Sequence, residues 1–168
     1  MTTPRAQALV VSLTVSMSLA SLCLLSFAQA SPRAVGDHAT RMTPRGPRGP
    51  DQLRTEMLEL VNRTRQLRGL QALRINERIS QEALEHSRRM ASAGDISHTP
   101  NLLAIISSVG GTVFGEDVGK GRGLRGIRDA WLRSTETRTI LLDGRFHQVG
   151  LGVIHADGFY WVTLQAFD

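Results

Sequence analysis

Residues 148–167 constrain the fold of this chain more than any other stretch. Val149, Leu151 and Val153 recur at every second position between Gln148 and His155, and Phe159 to Phe167 is rich in aromatic and β-branched side chains. Ala156-Asp157-Gly158 stands between the two runs, which predicts an antiparallel hairpin. Gly150 and Gly152 fall on one face of the first strand. Two missing side chains on one face call for a close neighbour there, either Trp161 or a helix.

Upstream of the hairpin the period changes from two to that of a helix. Asp51, directly after Pro50, reads as an N-cap, and Leu53, Met57, Leu60, Val61, Thr64 and Leu67 follow at helical spacing until Gly69. Arg54, Glu59, Arg63 and Gln66 form the solvated face, and the glycosylation-like Asn62-Arg63-Thr64 inside this helix is read as chance. A link from Leu70 to Ile75 leads to Asn76, a second cap, and to a helix from Glu77 to Ala93 that Gly94 stops. Ile79, Ala83, His86 and Met90 share its apolar face, so His86 reads as a core residue before it reads as a ligand. Asn101 to Gly111 fits either a short helix or a packed loop. Thr112 to Val118 predicts a strand with Gly115 at a close approach. Gly126 to Leu132 predicts a helix with Ile127, Ala130 and Trp131 inward, and Ser134 to Thr139 break the pattern.

Two residues carry the chemistry. His98 sits in Ser97-His98-Thr99-Pro100, a loop where packing gives an imidazole no reason to be. Glu116 lies on the short apolar strand, either as a functional carboxylate or as the partner of one of many arginines. Two look-alikes fail. Gly119-Lys120 lacks the phosphate loop's first glycine, since Phe114 stands there, and no Ser or Thr follows the lysine. Gly121-Arg122-Gly123-Leu124-Arg125-Gly126 matches the dinucleotide fingerprint, but only 42 residues follow it and their strands look antiparallel. No nucleophile is marked either: Gly-x-Ser-x-Gly and His-Glu-x-x-His are absent, and the single cysteine lies far upstream.

The N-terminus reads as an address. Met1 to Arg5 start positive, Ala6 to Phe27 run apolar, and Ala28-Gln29-Ala30 offers the small residues that a signal peptidase pocket reads. Residues 1–30 are expected to be a signal peptide cut after Ala30, leaving a secreted, extracellular protein with no stable membrane span. An uncleaved anchor is the alternative. Cys23 lies within the apolar run behind Leu22, which argues against lipidation, and the mature chain is expected to fold without disulfides. Residues 31–50 hold Pro32, Pro44, Pro47 and Pro50 among Arg and Gly and read as a disordered linker, a spacer or a weak tether to an anionic envelope. Most of the formal charge of +5 belongs to these segments, because residues 51–168, the expected domain, carry 15 basic and 14 acidic side chains. That balance argues against nucleic acid as a partner.

A resemblance rests on several motifs together. They are Leu60-Val61-Asn62-Arg63-Thr64-Arg65, Glu85-His86-Ser87 with Met90-Ala91, Ile96-Ser97-His98, Gly115-Glu116-Asp117, Ala130-Trp131-Leu132-Arg133-Ser134, Val149-Gly150-Leu151-Gly152-Val153 and Tyr160-Trp161. In order and spacing the chain resembles the CAP superfamily of cysteine-rich secretory proteins, antigen 5 and plant pathogenesis-related class 1 proteins, and more closely its disulfide-free bacterial SCP-like members. The resemblance implies an α+β fold, an α-β-α sandwich with a small antiparallel sheet flanked by helices. It also implies a central cleft where His98 and Glu116 meet, with Asp117, Thr137 and His86 as its other candidate residues. In the family that cleft gathers two histidines and one or two acids, and in some members it binds a divalent metal. Here Thr137 stands where the second histidine belongs, and Asp117 replaces the usual Asn. Zinc asks for three or four ligands. His98 and Glu116 are the candidate pair, and Glu136, His86 or His147 would complete a site only from positions the family does not use.

The expected function is a monomeric, secreted, non-enzymatic module that binds a lipid, a glycan or an envelope protein. One alternative is a hydrolase or peptidase that uses His98 and Glu116 with a metal or water. The other is a structural module with a degenerate cleft.

Overall fold

The computed structural model describes residues 48–168; the expected signal peptide, its Ala30 site and most of the linker lie outside them. In chain order the elements are α1 (Pro50–Gln66), β1 (Arg74–Ile75), α2 (Glu77–Ala93), α3 (Leu102–Ser107), β2 (Phe114–Gly121), α4 (Leu124–Arg133), α5 (Thr135–Leu141), β3 (Gln148–Ala156) and β4 (Phe159–Phe167). The strands form one sheet in the order β1-β3-β4-β2. β3 and β4 make the expected hairpin, turning through Asp157 and Gly158, both at positive φ as a two-residue hairpin turn requires. β2 pairs antiparallel with β4, but β1 runs parallel to β3. The sheet is therefore mixed, not purely antiparallel as expected.

Strand alternation sorts the helices into two layers. Val149, Leu151 and Val153 of β3 and Val162, Leu164 and Ala166 of β4 join Leu53, Met57, Leu60 and Val61 of α1 and Ile127 and Trp131 of α4 in the larger core. On the other face α2 lies directly on the sheet. A Cβ on Gly150 would come within 2.2 Å of the Ile79 side chain, and one on Gly152 within 2.2 Å of the Ala83 carbonyl carbon. The close neighbour is thus helix α2, not Trp161. Ile79, Ile106 of α3 and Phe167 form a smaller apolar cluster on this side. The outcome is the α-β-α sandwich of the α+β class.

Several local expectations change. Pro50, not Asp51, opens α1, occupying the first turn where its missing N–H costs nothing, and Asp51 adds a carboxylate at the positive end of the helix. Leu67 lies past the helix end and is 77% exposed, so it does not extend the apolar stripe. Asn101 to Gly111 contains a short helix, α4 starts two residues before Gly126, and residues 135–141 form α5 instead of a break. Ser134, with extended ψ, is the corner between α4 and α5. α2 keeps its expected bounds: Asn76 Oδ1 accepts from Ile79 N at 3.1 Å, and Gly94 ends the helix at φ 75°.

Two polar residues of α1 tie distant segments to this frame. Asn62 donates to Leu73 O at 3.0 Å and accepts from Leu73 N at 2.8 Å, which holds the link that leads into β1. Arg65, 1% exposed, donates to the carbonyls of Gln71, Leu141, Asp143 and Phe146. It thereby satisfies backbone acceptors after α5 that burial would otherwise leave unpaired. No helix among the described residues is long and apolar enough to cross a membrane.

Candidate functional site

The site forms where the loop after α2 meets β2. Gly94 turns the chain off α2, and His86 reaches forward from the last turns of that helix to Ser97 O, 2.6 Å from its Nε2. With Nε2 donating to the carbonyl, Nδ1 is left to accept from Arg89 Nη2 at 3.3 Å. His86 is buried, and its visible role is to anchor the loop. The loop then delivers His98 and Thr99 to Glu116, which β2 presents toward the α2 layer.

Glu116 is 5% exposed and well supplied with donors. Its Oε1 lies 2.8 Å from His98 Nδ1 and accepts from Thr99 N at 2.8 Å. Its Oε2 accepts from Gln165 Nε2 at 2.9 Å, across the β2–β4 pairing that sets Glu116 opposite Gln165. The second Nε2 proton of Gln165 goes to Thr99 Oγ1 at 2.8 Å. Burial works to raise the Glu116 pKa, but the bonds from His98, Thr99 and Gln165 outweigh it and hold the pKa below the ordinary value. The carboxylate is therefore a stable buried anion. The His98 side chain keeps 29% of its surface exposed, so the ring is open to solvent.

Asp117 does not join this group. Successive residues of a strand face opposite sides, and Asp117 points into the larger core beside Gly115 and Gly119, which pack on α5 and α4. It is fully buried, neither carboxyl oxygen has a hydrogen-bond partner among the described residues, and burial followed by the Glu116 charge pushes its pKa well up. Thr137 donates its hydroxyl to Trp131 O at 2.7 Å, a bond across the α4–α5 corner. Glu136 is exposed and accepts from Ser134 Oγ, and His147 is exposed before β3. Of the five expected cleft residues, His98 and Glu116 meet directly, His86 holds their loop, and Asp117 and Thr137 bond or pack elsewhere.

Two contributors escaped the sequence. Gln165 had a signal, a lone amide within an otherwise apolar strand, but its partner became visible only through register. Thr99 contributes through its backbone N–H as well as its hydroxyl, and a backbone donor has no signature in residue type.

The donor set also answers the metal question. Among the described residues no three His, Cys, Asp or Glu side chains gather as a metal site would require, and the two Glu116 oxygens already take three donors. A zinc ion, with its three or four protein ligands, does not fit this arrangement.

Comparisons place the chain. The profile of the cysteine-rich secretory protein family, CAP, matches residues 58–166. No curated protein matches the sequence. Among solved structures, an extracellular protein containing an SCP domain from Bacillus anthracis shares 26% identity at TM-score 0.56, covering 73% of this chain and 45% of its own. An outer surface protein of Borrelia burgdorferi aligns at TM-score 0.61 with 17% identity over 68% of this chain and 90% of its own. A cysteine-rich secretory protein of Staphylococcus aureus aligns at TM-score 0.59 with 19% identity over 70% of this chain and 38% of its own. The last two similarities are of fold alone. This chain spans less than half the length of the Bacillus and Staphylococcus proteins. With the profile covering most of the described residues and the sandwich shared with these structures, the chain belongs to the CAP family of cysteine-rich secretory proteins.

Proposed function

We propose that the domain is a secreted, non-catalytic module that binds a lipid, glycan or envelope protein in the cleft beside His98. The observation that carries this reading is the state of Glu116, a buried carboxylate with both oxygens engaged and its pKa lowered. A carboxylate held so firmly as an anion is a weak proton acceptor. Its fit is to position: Glu116, Thr99 and Gln165 hold the loop so that the His98 ring meets the ligand. The extracellular and outer-surface descriptions of the similar proteins from Bacillus and Borrelia support secretion.

One contact favours a second reading. A carboxylate bonded to imidazole Nδ1, here at 2.8 Å, is also how hydrolases orient a catalytic histidine. Zinc and copper calorimetry on the wild type and His98→Ala, with peptidase and esterase assays on the same preparations, separates the two. The binding reading expects no His98-dependent metal heat and no turnover. It also expects extracted envelope lipids or glycans to raise the melting temperature of the wild type and not of the variant. Metal binding and turnover that both vanish in His98→Ala would replace it with the hydrolase. Ligand shifts that persist in the variant would move the binding site elsewhere.

A further inference from the structure

Lys120, Arg122 and Arg125 stand together where β2 hands the chain to α4, all three exposed and none in an ion pair among the described residues. Aromatic rings, not acids, hold Lys120 and Arg122. Lys120 Nζ lies 4.3 Å from the centre of the Trp161 ring and 4.9 Å from that of Phe159, and the Arg122 guanidinium lies 4.9 Å from the same Phe159 centre. One ring thus keeps two like charges as neighbours. Arg125 occupies the first turn of α4, where a cation opposes the helix dipole and costs stability. The acids nearest in the chain pair with none of the three: Asp117 is buried on the opposite face of β2, and Asp129, one turn beyond Arg125 in α4, pairs with Arg128. Three exposed cations in no ion pair among the described residues form a surface suited to an anion.

We propose that this surface docks a linear phosphate-bearing polymer that lacks nucleobases. Two guanidinium forks and an ammonium suit successive phosphates, which Arg binds in bidentate fashion. The rings argue against nucleic acid. Single-strand binders stack bases on open aromatic faces, whereas Phe159 already carries cations and Trp161 is only 3% exposed. A membrane surface fits poorly as well, since it favours apolar side chains among the cations. Here the residues between the cations are Gly121, Gly123 and the buried Leu124, with Gly126 just after them. A Cβ on Gly123 or Gly126 would meet nothing within 4 Å, so the backbone between the cations is open to a chain lying across it. The glycine-rich run that imitates a dinucleotide fingerprint follows a strand and precedes a helix, but β2 is antiparallel to its neighbour and forms no βαβ unit. Its arginines have a use without a dinucleotide.

Lys120 also donates to Gly94 O at 3.2 Å, at the start of the loop that carries His98, and it shares a face of β2 with Glu116. The surface therefore borders the loop that carries His98, although the inference does not depend on what the site beside His98 binds. Calorimetry of inorganic polyphosphate with the full chain, leader included, at about 150 mM salt tests it, because phosphate contacts weaken steeply with salt. K120Q/R122Q/R125Q should weaken binding roughly tenfold or more and flatten its salt dependence. R122K/R125K should weaken binding less than the triple variant and keep its salt dependence, since the charge stays while the bidentate forks are lost. His98→Ala should leave polyphosphate binding unchanged, which separates this surface from the cleft. Three outcomes would overturn the proposal: no polyphosphate binding by the wild type; a loss confined to a leader variant, R33Q/R41Q/R45Q; or single-stranded DNA or anionic phospholipid vesicles bound more tightly than polyphosphate through the same three residues.

Discussion

Glu116 and Asp117 are adjacent in the chain yet live in opposite layers, and their contributions to stability change with pH in opposite senses. Glu116 has a folded pKa below its ordinary value of 4.5, so its stabilisation is present above that range and is lost as pH falls through the folded pKa. Glu116→Gln should cost roughly 1.5–3 kcal/mol at neutral pH, as expected for losing hydrogen bonds to a buried charge. Urea unfolding at neutral pH and in mild acid checks this, and the gap between wild type and variant should narrow on acidification. Asp117 has a folded pKa raised well above its ordinary 3.8, so folding takes up a proton. The penalty is absent below that ordinary value, grows as pH rises through the interval between the two pKa values, and is largest above both. Asp117→Asn should therefore raise the melting temperature, most at alkaline pH and least in acid. Calorimetric scans across pH would contradict this if the variant melted below the wild type at every pH. A residue's type signals that it can titrate, but only the strand's pleat decides which core it titrates in.

At the scale of elements, contact between α2 and the sheet depends on bare backbone. A methyl at position 152 would meet Ala83 and Leu84 backbone atoms at 2.2–2.3 Å, and backbone cannot swing aside as a side chain can. Gly152→Ala should force α2 away from β3 and cost about 1–3 kcal/mol or more. Gly126→Ala is the contrast: the position is exposed in α4 with nothing within 4 Å, and the gain in helix propensity should be roughly 0.5–1 kcal/mol. Chemical denaturation of both variants reads the opposite signs directly. The same packing explains which elements were legible. α2 carried its own cap, stop and apolar stripe, and the β3–β4 hairpin its alternation and turn. β1 is two residues long and exists as a strand only because β3 pairs with it. α5 buries one side chain, Leu141, so no periodic stripe announced it.

The whole domain is held by burial on both faces of one sheet and by polar ties such as Arg65. Although its family is named for cysteines, the chain has only one, outside the described residues, so no internal disulfide can form. Its melting temperature in oxidising and reducing buffer should be the same; a shift of more than a degree or two would point to pairing between chains. The sequence alone marked the two clearest helices and strands and the residues His98 and Glu116, and through the family resemblance it implied the class of the fold and the meeting of that pair. The helices, the strands and the choice of the two residues rest on a local pattern, a period, a cap or a residue out of place, that survives without knowledge of the rest of the chain. Only the tertiary structure decided that Asp117 and Thr137 bond or pack away from that pair, that His86 anchors the loop, and that Gln165 and Thr99 complete the clamp on Glu116. It also turned an apparent nucleotide motif into a cationic edge beside Phe159. Those facts depend on strand register and on which helix covers which face, and both are set by contacts between residues far apart in the chain, which no local pattern encodes.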